Sequence, residues 1–506
     1  MYLKLLREPP LEFRYGQKLA SPHDGLVYFG PFDADHSAHP TSVAYGLIST
    51  PSGQRIFSNF VTRIQTPVYV DEGKDERIWP FFPGFEAAFN CKLPVNPTFT
   101  HTLDDEHVDK ISNRYDQHDR VGSIVDLYLD GIKRISARDE EPKIIICIVP
   151  EIIFKNCRTQ SRIQDGIGPK LSSKEIKTRK SGQLSLLEEY NTEYYNFSVD
   201  FRRQLKARAM EYKIPIQIIR ERTLTLDTTQ SDIIEQESEF DTTGLTFLSD
   251  RAWNLSVGMY YKSGGKPWKL STAREGVCYV GIAYHLTGKA NSSTACCAAQ
   301  MFLEDGDGIV FKGDFGPWYS QEKKEFHLSY EAAKSLLSGA ISSYNLFSSN
   351  PLKEIFLHCH SSIDEHEFEG FKDACPSGVN IYGIRVRRTF KNGIRLYSPG
   401  QLPVPRGTLL VKSSKKCFLW ASGYKERLGT YDGWEVPVPL EIDLQHGECD
   451  IEQIGKDIFG LTKLNYNACR LGDSEPVTVL FSKNVGEILV SNPTVKRPDP
   501  RFKFYI

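Results

Sequence analysis

The chain has 506 residues, 40% hydrophobic and 25% charged, with 62 Lys+Arg against 64 Asp+Glu and a net charge of −2. This composition excludes extensive disorder, and the length exceeds one compact core, so two to four domains are expected. The near-zero charge excludes a globally basic nucleic-acid binder, so any phosphate-binding surface has to be a local basic channel offset by acid elsewhere.

The 11 cysteines are odd in number and contain no C-x-x-C pair, which reads as reduced cytosolic thiols. The N-terminus, MYLKLLREPPLEF, carries Lys4, Arg7 and Glu8 and lacks the apolar centre of a signal peptide. The longest apolar run, residues 144–154, is interrupted by Pro150 and Glu151 and falls far short of the ~20 residues of a membrane span. A soluble, cytoplasmic protein is expected.

Residues 1–140 read as a mixed α/β segment with strand-like runs at 25–29 and 41–47 and an aromatic loop, WPFFPGF, at 79–85. A second unit, 141–268, opens with the buried strand KIIICIVP (143–150), whose continuous apolar character suggests a sheet covered on both faces. An exposed loop (159–183), helices at 185–194 and 200–211, a strand at 214–219 and a helix at 250–262 follow. Strand, helical crossover, strand is the grammar of a parallel, Rossmann-like α/β sheet. The last unit, 269–506, opens with the strand VCYVGIAYHL (277–286). Next come CCAAQMFL and GIVFKG, joined by EDGDG (304–308), where Asp-Gly between apolar runs signals a hairpin. A helix (330–344), strand (354–359), helix (364–374), strand (379–386), further strands and two late helices (451–464, 484–489) complete it. Antiparallel strands first, then strand–helix–strand, is the order of a ribonuclease H-like fold.

The most informative residues lie in FRRQLKARAMEYKIPIQII, 201–219. Arg202 and Lys206 share a helix face at i, i+4. Gln217 points opposite to Ile214, Ile216 and Ile218 of its strand. Lys262, in GMYYKSGGKPW, is placed to close a clamp from a later helix. Two cations and an amide converging where a helix meets a strand suit a terminal phosphate. Taken alone, an Arg/Lys helix face is most often simply solvated.

This segment resembles the MID domain of Argonaute proteins. Their 5′-phosphate pocket uses a Tyr, a Lys four residues on, a Gln in the next strand and a Lys on a later helix. Arg202, Lys206, Gln217 and Lys262 fall on those places in order. QLKAR, YYKSGGKPWKL, CCAAQMFL, GDGIVFKG and LTKLNYNA resemble the short prokaryotic Argonautes, and the resemblance runs from about residue 10 to the last. One departure is Arg202, which stands where the family stacks an aromatic on the first guide base. A guanidinium plane can also stack on a base. The resemblance further implies that the carboxylate of Ile506 reaches the pocket and, with Gln217, helps hold Mg²⁺ at the guide phosphate.

A ribonuclease H-like nuclease needs clustered carboxylates around two metal ions. On the family pattern Ala283 (in VGIAY), His360 or less well Cys359 (in FLHCHSS), and Lys483 (in LFSKNVGE) stand where metal ligands are expected. A methyl, an imidazole and an ammonium cannot assemble that site. The resemblance therefore implies an inactive PIWI domain that loads a guide RNA and recognises single-stranded DNA. It also implies activation of a partner protein with an APAZ domain and a TIR or sirtuin-like, NAD-consuming effector, in a prokaryotic defence system. The alternative is a guide-directed nuclease with a displaced metal site, which needs three converging carboxylates in residues 270–506.

Other candidates have plainer readings. Glu304, Asp305 and Asp307 read as turn chemistry. His358 and His360 lack an evident third ligand. Cys296 and Cys297 read as core. RVRRTFKNGIR (385–395) could track guide phosphates or be a solvated strand edge.

Overall fold

A computed structural model of the chain describes residues 1–506 except 71–72, 182–189, 227–243, 287–294, 304–307, 348–349, 389–392, 398, 432, 434 and 493–498. A four-stranded and a nine-stranded sheet organise the described residues.

The four-stranded sheet runs Phe99–Thr102, Tyr45–Ser49, Ile144–Val149, Ile216–Arg220, with every neighbour parallel. Its strand IIICIV is buried along its whole length because both faces are covered. Ile145, Cys147 and Val149 pack on Val121, Ile124, Val125 and Tyr128 of the helix Gln117–Ser136. Ile144, Ile146 and Ile148 belong to the core shared with the helices Pro51–Arg63 and Leu248–Lys262. Half of the strands of this sheet come from before residue 140, so a boundary at 140/141 cuts through it. A parallel sheet needs crossover helices, and two of them, Pro51–Arg63 and Gln117–Ser136, lie in the segment taken for a separate unit.

Three local expectations also differ. Residues 25–29 fall mostly in the helix Pro22–Tyr28, because Ser21 caps it (Asp24 N–H to Ser21 Oγ, 3.3 Å) and Pro22 fits its first turn. The loop expected at 159–183 contains the helix Ser173–Lys180, nucleated by a Ser172/Glu175 capping box. The helix expected at 185–194 falls largely outside the described residues, and Thr192–Asn196 forms a 3₁₀ turn.

The nine-stranded sheet runs Tyr2–Leu5, Thr408–Ser413, Lys416–Trp420, Leu440–His446, Asn380–Arg388, Glu354–Cys359, Val277–Leu286, Ala295–Phe302, Gly308–Gly316. Val277–Leu286, Ala295–Phe302 and Gly308–Gly316 are antiparallel, while Glu354–Cys359 lies parallel to Val277–Leu286. This is the ribonuclease H-like order. The turn 304–307 lies outside the described residues, but Phe302 pairs with Gly308 across it. Cys278, Val280 and Ile282 face the helices Tyr330–Phe347 and Glu365–Ala374. Tyr279 and Ala283 face the core that includes Ile454, Ile458, Phe481 and Val485 from the late helices.

The N-terminus is fastened to this second unit. Tyr2–Leu5 pairs with Thr408–Ser413, and Glu8 meets Arg406 at 3.1 Å and the buried Lys463 at 3.0 Å. Those cations hold the Glu8 carboxyl below its usual range against the cost of burial. The ten described cysteines are free thiols. Among the described residues no helix is long and apolar enough to cross a membrane.

Candidate nucleic-acid interface

The helix Phe201–Ala209 begins at Asp200, whose carboxylate accepts the Arg203 N–H at 3.1 Å. Phe201 and Leu205 bury against the helix Gln117–Ser136, which turns Lys206 inward to 3% exposure. The chain then reverses through Lys213, at φ 57°, into the strand Ile216–Arg220. The helix Leu248–Lys262 ends against this strand. Its last residue, Lys262, donates from Nζ to Gln217 Oε1 (2.6 Å) and to the Ile216 carbonyl (3.3 Å).

The C-terminal segment closes the site. Phe502 packs edge-on between Phe302 and Phe481, at 5.1 and 5.3 Å between ring centroids. The Tyr505 hydroxyl donates to the Asp499 carbonyl at 2.9 Å. So held, the segment brings the main-chain oxygens of Tyr505 (3.3 Å) and Ile506 to Lys206 Nζ.

Lys206 and Lys262 are both buried, and among the described residues no Asp or Glu side chain pairs with either. Burial pushes the Lys206 ammonium well below the ordinary lysine range, and the charges of Lys262 and Arg202 push it further. Burial, then Arg202, lowers Lys262 to about 7. Arg202 itself is exposed at the start of the helix. The arrangement is a pocket in which Lys206 and Lys262 meet no Asp or Glu side chain among the described residues, only Gln217 and main-chain oxygens that include Ile506, and an entering phosphate would supply further counter-charge. Gln217 Oε1 and Ile506 O are the oxygens here that could face a cation, and both already accept from lysines. Mg²⁺ takes six oxygens, so these two fit it only if phosphates and waters provide the rest.

Of the four residues expected at a phosphate site, Gln217 and Lys262 are in contact, and Lys206 and Arg202 lie near enough for their charges to act on this pair and on each other. Lys503 was missed. Its Nζ lies 3.5 Å from the Lys262 carbonyl. It lies in the 3₁₀ turn Phe502–Phe504 between two buried aromatics, and its approach depends on how the C-terminal segment docks. Beside the helix start lies a cleft of about 980 Å³, lined in part by Phe154, Arg158, Arg203 and Arg220. The Arg220 guanidinium stacks 3.3 Å above the Phe154 ring.

The positions expected for nuclease ligands gather on one face of the nine-stranded sheet. Ala283 is 2% exposed and pairs with Ala298. A Cβ on Gly281 would lie 2.0 Å from the Thr478 carbonyl oxygen, so Val477–Leu480 sits directly on this strand. The parallel register pairs His358 with Gly281 and Cys359 with Ile282; continued one residue, it sets the exposed His360 beside Ala283. His358 Nδ1 lies 2.9 Å from Thr478 Oγ1, and burial lowers the ring to about 3, so it is neutral at pH 7. Lys483 belongs to the helix Ser482–Ser491, which covers the same face, but its side chain lies outside the described residues.

The basic run 385–395 is largely committed elsewhere. Arg385 pairs with Asp443 at 3.0 Å and Arg387 with Glu441 at 3.3 Å on the neighbouring strand, and 389–392 lie outside the described residues. Cys297 is buried, with Sγ against the Asp314 carbonyl. Glu304, Asp305 and Asp307 lie outside the described residues.

No protein-family model and no curated protein matches the sequence. Solved structures do match. One is a Clostridium butyricum Argonaute bound to a guide DNA and a 19-mer target DNA, with a TM-score of 0.61 at 14% identity, covering 100% of this chain and 55% of that one. The A. aeolicus Argonaute matches with a TM-score of 0.55 at 13% identity, covering 99% of this chain and 55% of that one. Aa-Ago with externally bound siRNA matches with a TM-score of 0.55 at 14% identity, covering 99% of this chain and 56% of that one. The chain therefore spans little more than half the length of these proteins. Its α/β fold is Argonaute-like, consistent with a MID domain and a ribonuclease H-like PIWI domain.

Proposed function

We propose that this chain is the guide-holding component of a prokaryotic nucleic-acid sensor of the short Argonaute kind. Lys206, Gln217 and Lys262, with Arg202 at the mouth, take the 5′-phosphate of a guide RNA. The observation that carries this reading is the pair of buried ammonium groups, Lys206 and Lys262, that no described carboxylate side chain neutralises. Keeping a buried lysine charged is costly when its partners are mostly neutral oxygens, and a phosphate dianion offsets that cost where a neutral ligand does not. Gln217 and the Ile506 carboxylate would be the residues to hold Mg²⁺ beside the guide phosphates, where it would offset their charge.

Base pairing of the loaded guide then recognises complementary single-stranded DNA. The chain has no nuclease centre of its own in this reading, because Ala283, His360 and Lys483 stand at the ligand positions. The output belongs to an APAZ-domain partner with a TIR or sirtuin-like effector that consumes NAD⁺. The deciding experiment compares binding of one oligonucleotide bearing a 5′-phosphate or a 5′-hydroxyl. Wild type should prefer the phosphate, and Lys206→Ala with Gln217→Ala should remove that preference. Charge-assisted contacts are worth about 1.5–3 kcal/mol each, so the loss should exceed roughly a hundredfold. A double variant that still separates the two ends refutes the pocket.

A further inference from the structure

The nine-stranded unit contains a second cluster of polar groups, on the face of the Val277–Leu286 strand opposite Ala283. Glu367, in the first turn of the helix Glu365–Ala374, is 1% exposed. Its Oε1 accepts from the Tyr284 hydroxyl at 2.9 Å, while its Oε2 has no hydrogen-bond partner. Asp364 caps the same helix. Its Oδ1 accepts the Glu367 N–H at 2.8 Å, which leaves Oδ2 to face elsewhere. Both spare oxygens face one atom, His327 Nδ1, at 3.6 Å from Asp364 Oδ2 and 3.8 Å from Glu367 Oε2. Neither ring nitrogen of His327 has a hydrogen-bond partner among the described residues.

These separations are too long for hydrogen bonds. They are close to the edge of a coordination tetrahedron, since ligands 2.0–2.2 Å from a shared zinc ion lie roughly 3.3–3.6 Å apart. On its other side His327 Nε2 is 3.8 Å from Glu325 Oε2. That oxygen accepts from the Ser362 hydroxyl, so Glu325 adds negative charge beside the imidazole without a hydrogen bond to it. The mixed nitrogen and oxygen donors suit a borderline cation better than Ca²⁺ or Mg²⁺.

We propose that His327 Nδ1, Asp364 Oδ2 and Glu367 Oε2 bind a divalent transition-metal ion, with Zn²⁺ the best fit. The ion fastens the Glu325–Phe326 strand and its following loop to the start of the helix Glu365–Ala374. Asp364, with its side chain 47% exposed, gives the ion a way in and leaves a coordination position for water. The site is separate from the guide pocket and needs no guide.

The test uses the full, guide-free chain, stripped with a chelator and titrated with Zn²⁺ and with Co²⁺. One equivalent of Zn²⁺ should bind, Co²⁺ should give the visible absorption of a tetrahedral site, and Zn²⁺ should raise the thermal midpoint. Asp364→Asn keeps a good helix cap and should weaken binding by about tenfold or more. His327→Ala should do the same and abolish the Co²⁺ band, with folding followed by circular dichroism. Lys206→Ala with Gln217→Ala should leave Zn²⁺ binding unchanged. Failure of wild type to bind either ion, or unchanged binding in both Asp364→Asn and His327→Ala, overturns the proposal. The cluster would then be an ion pair of a protonated His327 with its carboxylates.

Discussion

At the scale of residues the candidate site turns on the protonation of Lys262. Free, it sits at about 7, so a large share of the chain at neutral pH carries a neutral amine there. A bound phosphate favours the ammonium and raises that value, so binding takes up a proton. A 5′-phosphate is already dianionic above pH 7, which leaves Lys262, and with it the similarly depressed Lys206, to set the slope. Affinity for 5′-phosphorylated guides should fall as pH rises from about 7 toward 9, by up to about tenfold per pH unit for each lysine that takes up a proton. The 5′-hydroxyl control should not follow it. Calorimetry in buffers of different ionisation enthalpy reads the proton directly, and no proton uptake would contradict the assignment of Lys262. This residue and its partners were legible because helix periodicity and strand alternation fix which side chains share a face. Lys503 was not, because its approach depends on how the C-terminal segment docks rather than on any local period.

At the scale of elements, strong apolar runs were read well and amphipathic or capped elements less well. Glu354–Cys359 and Ile451–Leu461 lie where the apolar pattern placed them. The helix Pro22–Tyr28 was missed because five apolar and small residues in a row look like a strand, while its true signal is Ser21 followed by Pro22. The helix Gln117–Ser136 hides its apolar stripe among charges, and with it went the assignment of Tyr45–Ser49 to the parallel sheet. Two predictions belong here. Phe502→Ala should empty the aromatic slot that holds the C-terminal segment, at a cost of about 3–5 kcal/mol. It should also weaken guide retention although Phe502 makes no contact with the lysines; unchanged retention in a folded Phe502→Ala variant would separate the segment from the pocket. Ala283→Asp should bury an unpaired carboxylate under Val477–Leu480 and Ser482–Ser491. It should lower unfolding stability by about 3–5 kcal/mol in denaturant titrations, and it should not create cleavage, since one carboxylate cannot hold two metal ions.

At the scale of the whole molecule, two sheets meet across a joint that includes the candidate phosphate pocket. Lys206 comes from the parallel-sheet unit and Ile506 from the segment docked on the nine-stranded sheet. Arg203 and Glu487, 2.8 Å apart, add a second tie between the same two units. The net charge of −2 gave no hint of this pocket, because its few cations are offset in the sum by the excess of acid elsewhere, 64 Asp+Glu against 62 Lys+Arg. The expectation of a partner protein rests on the family resemblance alone, since a domain on another chain would leave no motif in these residues. The central claim is that the chain reads a target without cutting it. Its most direct measurement incubates the purified chain, without any partner, with a 5′-phosphorylated guide RNA, a labelled matched single-stranded DNA and Mg²⁺ or Mn²⁺. A stable complex with the DNA intact is the expected result. Cutting at one defined position, lost when a carboxylate in residues 270–506 such as Asp364 or Glu367 is replaced, would contradict it in favour of a nuclease with a displaced metal site.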